Sequence, residues 1–296
     1  MGNLGHYGMT VRFESAEEKR LFLEDIRGKS ILSDLFGTDH YYGRYETTIF
    51  DFAGEVSRLL AEKGLINTSE SVFPLEELHE YLPPGIKALD ESELNAVSRA
   101  FYETDDRFLQ LYYRFVREVL APLFEADLYF QNTPTMRFQF PHQDGFTWKP
   151  RIHTDIMLGH PPYEVNVWIP LTPAYSTNSM MIARMKDSIG LLEEVSFDFE
   201  TFAYRVQRDS IFWDQCARVC HPVTLDYGSF LMFDPRCLHA TQYNSTPHTR
   251  VSIDVRIIRR EDLNNMKLAY RGTGRKKLRF APGHYYHAQS CSELFP

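Results

Sequence analysis

The stretch "RVSIDVRII", residues 250–258, alternates strictly. Arg250, Ser252, Asp254 and Arg256 fall on one side of an extended chain, and Val251, Ile253, Val255 and Ile257 on the other, because side chains in a strand repeat every two residues. An apolar row buried against a core leaves the polar row facing a pocket or solvent. Working outward, similar short runs occur at "TMRFQF" (135–140), "EVNVWIPL" (164–171), "SMMIAR" (179–184) and "GSFLMF" (228–233), separated by Pro, Gly, Asn and Asp. Strands of this length and density after Asp127 predict a β-sandwich or barrel.

The chain before Asp127 reads as helical. Ser15 with Glu18 forms a capping box for a helix ending near Gly28, "DFAGEVSRLLAEKGL" (51–65) is a second amphipathic stretch, and Asp90 with Glu93 boxes a third. Phe108, Leu111, Tyr112, Phe115, Val116, Val119, Leu120 and Leu123 recur at helical steps as one wide buried stripe. The 296 residues are 43% hydrophobic, enough for a sizeable core, and they show no internal repeat or flexible linker. A formal net charge of -8 disfavours nucleic-acid binding. No apolar run is long enough to span a bilayer, and the start carries no apolar signal core and no serine or threonine at position 6, where His6 stands. Four cysteines in this length make no disulfide framework, so a reduced cytoplasmic setting is expected.

Within "KPRIHTDIMLGH" (149–160), His153 and Asp155 stand two apart, and in a strand they would project together. His239, in "GSFLMFDPRCLHATQYN" (228–244), supplies a third ligand after a strand and a proline-containing turn. Two imidazoles and one carboxylate on one side of a metal make the facial triad of non-haem Fe(II) oxygenases, which leaves other coordination positions open. His142, His160, His221 and His248 read as surface, loop or hydrogen-bonded core residues. Cys216, Cys220 and His221 lack a fourth partner at useful spacing for structural zinc, and buried thiols are the better reading. Arg250 follows His239 by eleven residues, and a guanidinium beside the Ser252 hydroxyl is what a buried carboxylate needs. Two other readings stay open: a cupin-like metal hydrolase or isomerase on the same ligands, with no need of Arg250 and Ser252, and a non-catalytic ligand-binding barrel.

The run from Thr135 to Arg260 resembles the Fe(II)/2-oxoglutarate-dependent oxygenases. It is similar above all to the phytanoyl-CoA-hydroxylase-like branch and the oxygenases of aminoglycoside-antibiotic pathways. The pieces are "HTD" (153–155), "VNVWIPLTPAYSTNSMMIA" (165–183) and "GSFLMFDPRCLHATQYNSTPHTRVS" (228–252). Where such enzymes often carry Asn-Gly after the tryptophan strand, this chain has Asn178-Ser179. The resemblance implies an α+β chain with a mainly β core, a double-stranded β-helix (jelly-roll, cupin-like) with an N-terminal helical layer, forming a single domain over 1–296. Its expected parts are mostly helical support over 1–127, the jelly-roll core over 128–260 and a C-terminal tail, a candidate lid, over 261–296. It implies Fe(II) on His153, Asp155 and His239, with 2-oxoglutarate and dioxygen as cosubstrates. Arg250 and Ser252 are expected to bind the distal carboxylate, and Asn166 and Gln139 to touch the cosubstrate. Arg137, Trp168, Asp254 and Arg256 are the expected substrate contacts. The substrate expected is a small polar metabolite, hydroxylated, desaturated or cyclised, in antibiotic or other secondary metabolism. The carboxylate of Asp155 fills the place that halogenating relatives leave to a halide. Arg271, Arg275, Lys276, Lys277 and Arg279 make the tail basic, as a lid over an anionic substrate or as a solvated end.

Overall fold

Nine strands are present among the described residues. They are β1 (His40–Arg44), β2 (Leu128–Phe130), β3 (Thr135–Gln139), β4 (Val165–Pro170), β5 (Met180–Ile182), β6 (His221–Pro222), β7 (Ser229–Phe233), β8 (His239–Thr241) and β9 (Arg250–Arg259). The structure, a computed structural model, describes residues 10–28, 30–66, 73–83, 85–89, 94–143, 150–273 and 277–295. The larger sheet runs β1-β7-β4-β9-β2, with β3 also on β9, and the smaller runs β6-β5-β8. All of these pairings are antiparallel.

Register aligns the polar row of β9 with its neighbours. Gln139 lies opposite Arg250, Arg137 opposite Ser252, Trp168 opposite Asp254 and Asn166 opposite Arg256. Val251, Ile253, Val255 and Ile257 join Val165, Val167, Ile169, Met136 and Phe138 on the other face. Trp168, Leu231 and Phe233 of the larger sheet pack against Met180 and Ile182 of the smaller one, so the two sheets face each other as a jelly roll with the polar row between them.

Twelve α-helices are present among the described residues: α1 (Ala16–Arg27), α2 (Ile31–Phe36), α3 (Phe52–Glu62), α4 (Leu78–Tyr81), α5 (Ala96–Ala100), α6 (Asp106–Phe115), α7 (Ala121–Phe124), α8 (Met185–Glu194), α9 (Phe199–Arg208), α10 (Ser210–Val219), α11 (Arg260–Asn265) and α12 (Cys291–Leu294). α1 starts and stops where its signals place it, with the Ser15 hydroxyl accepting from the Glu18 N–H and Gly28 at the C-cap. The Asp90–Glu93 box lies outside the described residues. The long stripe 108–123 is helical throughout but not uniform. A π-turn over Val116–Leu120 separates α6 from α7, with the Ala121 N–H reaching back to the Val116 carbonyl. Pro122 has no N–H to continue the ladder, which accounts for the register change at that point. Phe52, Val56, Leu59, Phe108, Phe115 and Leu120 share one core with the outer face of the larger sheet.

Two details lie within the expected parts. In residues 1–127, expected to be mostly helical, β1 forms the edge of the larger sheet, pairing residues 40–44 with β7. Residues 185–219, inside the span expected to be jelly-roll core, form α8, α9 and α10. Leu191, Leu192, Phe199, Phe202, Val206 and Phe212 of these helices share a core with Met181, Ala183 and Ala240 of the smaller sheet and its margin. Each sheet is therefore backed by its own helical layer.

Candidate active site

His153 and His239 are brought together by backbone. They form an isolated antiparallel bridge in which each N–H donates to the other's carbonyl, at 3.1 and 2.8 Å, and their rings lie 4.5 Å apart between centroids. Asp155 is not on a strand, contrary to the expectation from spacing. It opens a 3-10 turn, Asp155–Leu158, and its N–H donates to the Pro235 carbonyl at 3.0 Å. The pair still converges because Thr154 between them is extended, at φ -113° and ψ 153°, so the side chains of 153 and 155 fall on one side.

The ligand atoms of His153, Asp155 and His239 lie within 4.8 Å of one another. Among the described residues only one other group of such side chains does the same. Each imidazole Nδ1 faces a backbone carbonyl, that of Arg151 at 2.8 Å for His153 and that of Cys237 at 3.0 Å for His239. Donation from Nδ1 leaves the Nε2 lone pairs for a metal. Burial, reinforced by the neighbouring His239, pushes the His153 imidazole down to about 4, and burial likewise lowers that of His239. Burial alone would raise the Asp155 carboxyl, but the Arg256 guanidinium, foremost among its charged neighbours, holds it well below the usual carboxylate range. The set at neutral pH is two neutral imidazoles and one carboxylate, a fit for a divalent ion of intermediate softness. Asp155 Oδ1 lies 3.6 Å from His239 Nε2, while Oδ2 accepts from Arg256 at 2.9 Å.

Arg250 is 1% exposed. Its Nε donates to the Asn178 carbonyl at 3.1 Å, one amino group to Ser252 Oγ and the other to Gln139 Oε1 at 3.0 Å, and it sits 5.8 Å from the centre of the Trp168 ring. These acceptors are all neutral, and among the described residues no carboxylate forms an ion pair with it. Burial pushes its guanidinium down to about 10. Asn166 is also buried, and neither its amide nitrogen nor its oxygen has a protein partner. Arg256 Nε, across the register from Asn166, is likewise without one. A buried amide left this way is costly unless a ligand or water completes it.

The remaining expected contacts are placed as follows. Arg137 and Asp254 form a salt bridge with each other, and Arg256 is engaged with Asp155. Trp168 is 2% exposed and walls the interior. Sequence reasoning passed over the Asn178 carbonyl and the Arg256–Asp155 contact. The first is backbone and carries no side-chain signal, and the second joins residues 101 apart. In the tail, Arg271, Lys277 and Arg279 are exposed, whereas Tyr270, Phe280 and Tyr286 are buried. Arg275 and Lys276 lie outside the described residues. Cys216, Cys220, Cys237 and Cys291 are all free thiols, and no described helix is long and apolar enough to cross a membrane.

The streptomycin biosynthesis protein StrG of Streptomyces griseus is 24% identical over 219 residues, covering 73% of this chain and 83% of that protein. The 2-oxoglutarate-dependent carbocyclase SnoK from nogalamycin biosynthesis is similar in structure at a TM-score of 0.45 and 13% identity, over 80% of this chain and 83% of that one. HygX from Streptomyces hygroscopicus, solved with nickel and 2-oxoglutarate, aligns at a TM-score of 0.43 and 15% identity, over 77% and 85%. The profile of the phytanoyl-CoA dioxygenase (PhyH) family matches residues 79–252, more than half of the chain and a span that includes all three candidate metal ligands, Arg250 and Ser252. The chain belongs to the phytanoyl-CoA dioxygenase family, and it is an Fe(II)- and 2-oxoglutarate-dependent dioxygenase.

Proposed function

We propose that the whole chain works as one oxygenase domain in the cytoplasm. In this reading it holds Fe(II) on His153, Asp155 and His239 and anchors the distal carboxylate of 2-oxoglutarate on Arg250 and Ser252. It oxidises a carbon of a small polar metabolite of antibiotic or other secondary metabolism. The observation that carries this reading is the Arg250 guanidinium, buried with only neutral acceptors. A buried charge without a counter-ion is strongly unfavourable, and a carboxylate ligand removes that penalty. A hydrolase or isomerase on the same metal ligands has no use for it. The substrate field follows from the kinship with StrG, and the free, buried thiols support the compartment.

Bound iron with the keto acid supplies dioxygen activation, in which 2-oxoglutarate becomes succinate and carbon dioxide as a substrate C–H bond is oxidised. The protein's own groups do the rest. His153 and His239 are held as neutral donors by the Arg151 and Cys237 carbonyls. Arg256 occupies Oδ2 of Asp155 and leaves Oδ1 for the metal. Asn166, unpartnered in the interior, and Gln139, beside Arg250, are the side chains assigned to the cosubstrate. Trp168 closes the wall behind Arg250.

The test is succinate formation dependent on both iron and 2-oxoglutarate, measured across aminocyclitols, sugars and amino acids, with acyl-thioesters and peptides as the opposing arm. For Arg250→Ala, breaking a buried ionic contact costs about 3–5 kcal/mol, so the Michaelis constant for 2-oxoglutarate rises on the order of a hundredfold or more. An unchanged constant removes the anchor assignment, and turnover with thioesters or peptides alone removes the substrate class.

A further inference from the structure

The second group of converging ligands shares no residue with the first. Asp39, His40 and Cys237 place a carboxylate oxygen, an imidazole nitrogen and a thiol sulfur within 4.8 Å of one another. His40 begins β1, Asp39 precedes it, and Cys237 stands in the turn between β7 and β8. His40 and Cys237 are buried, at 9% and 0% exposure. His40 Nε2 is enclosed and has no hydrogen-bond partner.

We propose that Asp39, His40 and Cys237 form a second metal site, specific for a thiophilic divalent ion such as zinc. Mixed thiolate, imidazole and carboxylate donors match zinc, with water in the fourth position of a tetrahedron. Asp39 is already held, since Oδ1 accepts from Arg184 at 2.6 Å and Oδ2 from the Met185 N–H. Each carboxylate oxygen keeps a second lone pair for a cation. Binding forms a metal–sulfur bond, breaks the Cys237 S–H bond and releases that proton to solvent. The thiolate offsets one charge of the ion, and the Asp39 carboxylate is shared between the ion and the Arg184 guanidinium. The site also ties together separate parts of the fold: β1 on the edge of the larger sheet, the start of α8 through Arg184 and Met185, and the turn leading into β8.

This arrangement bears on the iron-binding set through one backbone group. The Cys237 carbonyl accepts from His239 Nδ1, so an ion that fixes Cys237 fixes the support of an imidazole assigned to iron. The zinc ion in this proposal is structural, and its neighbour's role is positioning.

Cobalt(II) titration of metal-free protein separates the two sites, because only the second offers sulfur. The expected result is two equivalents bound in the unaltered protein, with the intense near-ultraviolet absorption of thiolate-to-cobalt charge transfer. His153→Ala keeps that absorption and binds one equivalent. Cys237→Ser and His40→Gln each lose it and bind one equivalent. Elemental analysis of protein grown with zinc shows the same loss of one zinc per chain. One equivalent in the unaltered protein without thiolate absorption overturns the proposal, as does absorption that survives Cys237→Ser. Should Cys237→Ser fail to fold, His40→Gln and the unaltered protein still decide.

Discussion

Asp155 divides its work between two oxygens. Oδ2 is taken by Arg256 at 2.9 Å, and Oδ1 faces His239 Nε2. On the proposed assignment this keeps the carboxylate to one metal bond and leaves coordination room for the keto acid and dioxygen. Groups that orient a ligand from behind typically set metal affinity by about 10–100-fold. Arg256→Met is therefore expected to weaken Fe(II) binding by that factor in a competition titration, with the Michaelis constant for 2-oxoglutarate far less changed than in Arg250→Ala. Equal loss in both constants argues against a role confined to Asp155. At this scale much was legible in the sequence. His153, Asp155 and His239 were identifiable from residue type and spacing, and the partnership of Arg250 with Ser252 from alternation. The partners of Arg137, Asp254 and Arg256 were not, because alternation tells which face a side chain takes and not what stands across the barrel.

At the scale of elements, the turn after Asp155 is the tightest constraint near the site. Gly159 ends it at φ 91°, and a Cβ there would lie 2.2 Å from the Arg271 carbonyl oxygen. The conformation costs an L-residue about 1–2 kcal/mol before any clash, and the carbonyl is backbone that cannot step aside. Gly159→Ala is expected to lower the melting temperature by about 4 °C or more and to speed amide exchange at Gly272 and Thr273, which calorimetry and exchange mass spectrometry will show. An unchanged melting temperature would mean that the tail shifts freely at this contact. Strands were readable because period two is short and needs few residues. α8, α9 and α10 were passed over because their apolar positions interleave with turns, although Asp198 and Asp209 sit as N-caps accepting from Thr201 and Phe212. β1 escaped notice because "HYYGR" has no apolar row of its own and gains its place only by pairing with β7.

At the scale of the whole molecule, the C-terminal tail is tied to α1 and to the ends of β2 and β4. The Tyr270 hydroxyl donates to Asp25 at 2.8 Å, Tyr286 to Glu164 and Tyr285 to Gln131 at 3.1 Å. Asp25 and Glu164 are 2% and 1% exposed, so removing those hydroxyls leaves Asp25 with Tyr163 and Glu164 with His160 and takes one hydrogen bond from each buried carboxylate. Deleting residues 267–296 is expected to abolish cooperative melting rather than open the pocket. A truncated protein that stays soluble, melts cooperatively and turns over faster would show instead that the tail is a removable lid. The basic residues of the tail gave no access to this, since Arg271, Lys277 and Arg279 face solvent while the aromatic residues between them hold the chain down.

The position of Arg250 has a metabolic consequence. On the proposed assignment it grips the end of the keto acid that the reaction leaves untouched, so the spent acid departs with its handle still attached. Succinate is then expected to compete with 2-oxoglutarate for the anchor. Added succinate is expected to raise the apparent Michaelis constant for 2-oxoglutarate without lowering the maximal rate. Arg250→Ala is expected to weaken both acids together, which inhibition kinetics on the two proteins will measure. Succinate that does not compete would mean that the anchor releases its hold during turnover. On that assignment one guanidinium sets both how tightly the enzyme takes its cosubstrate and how strongly its own by-product holds it back.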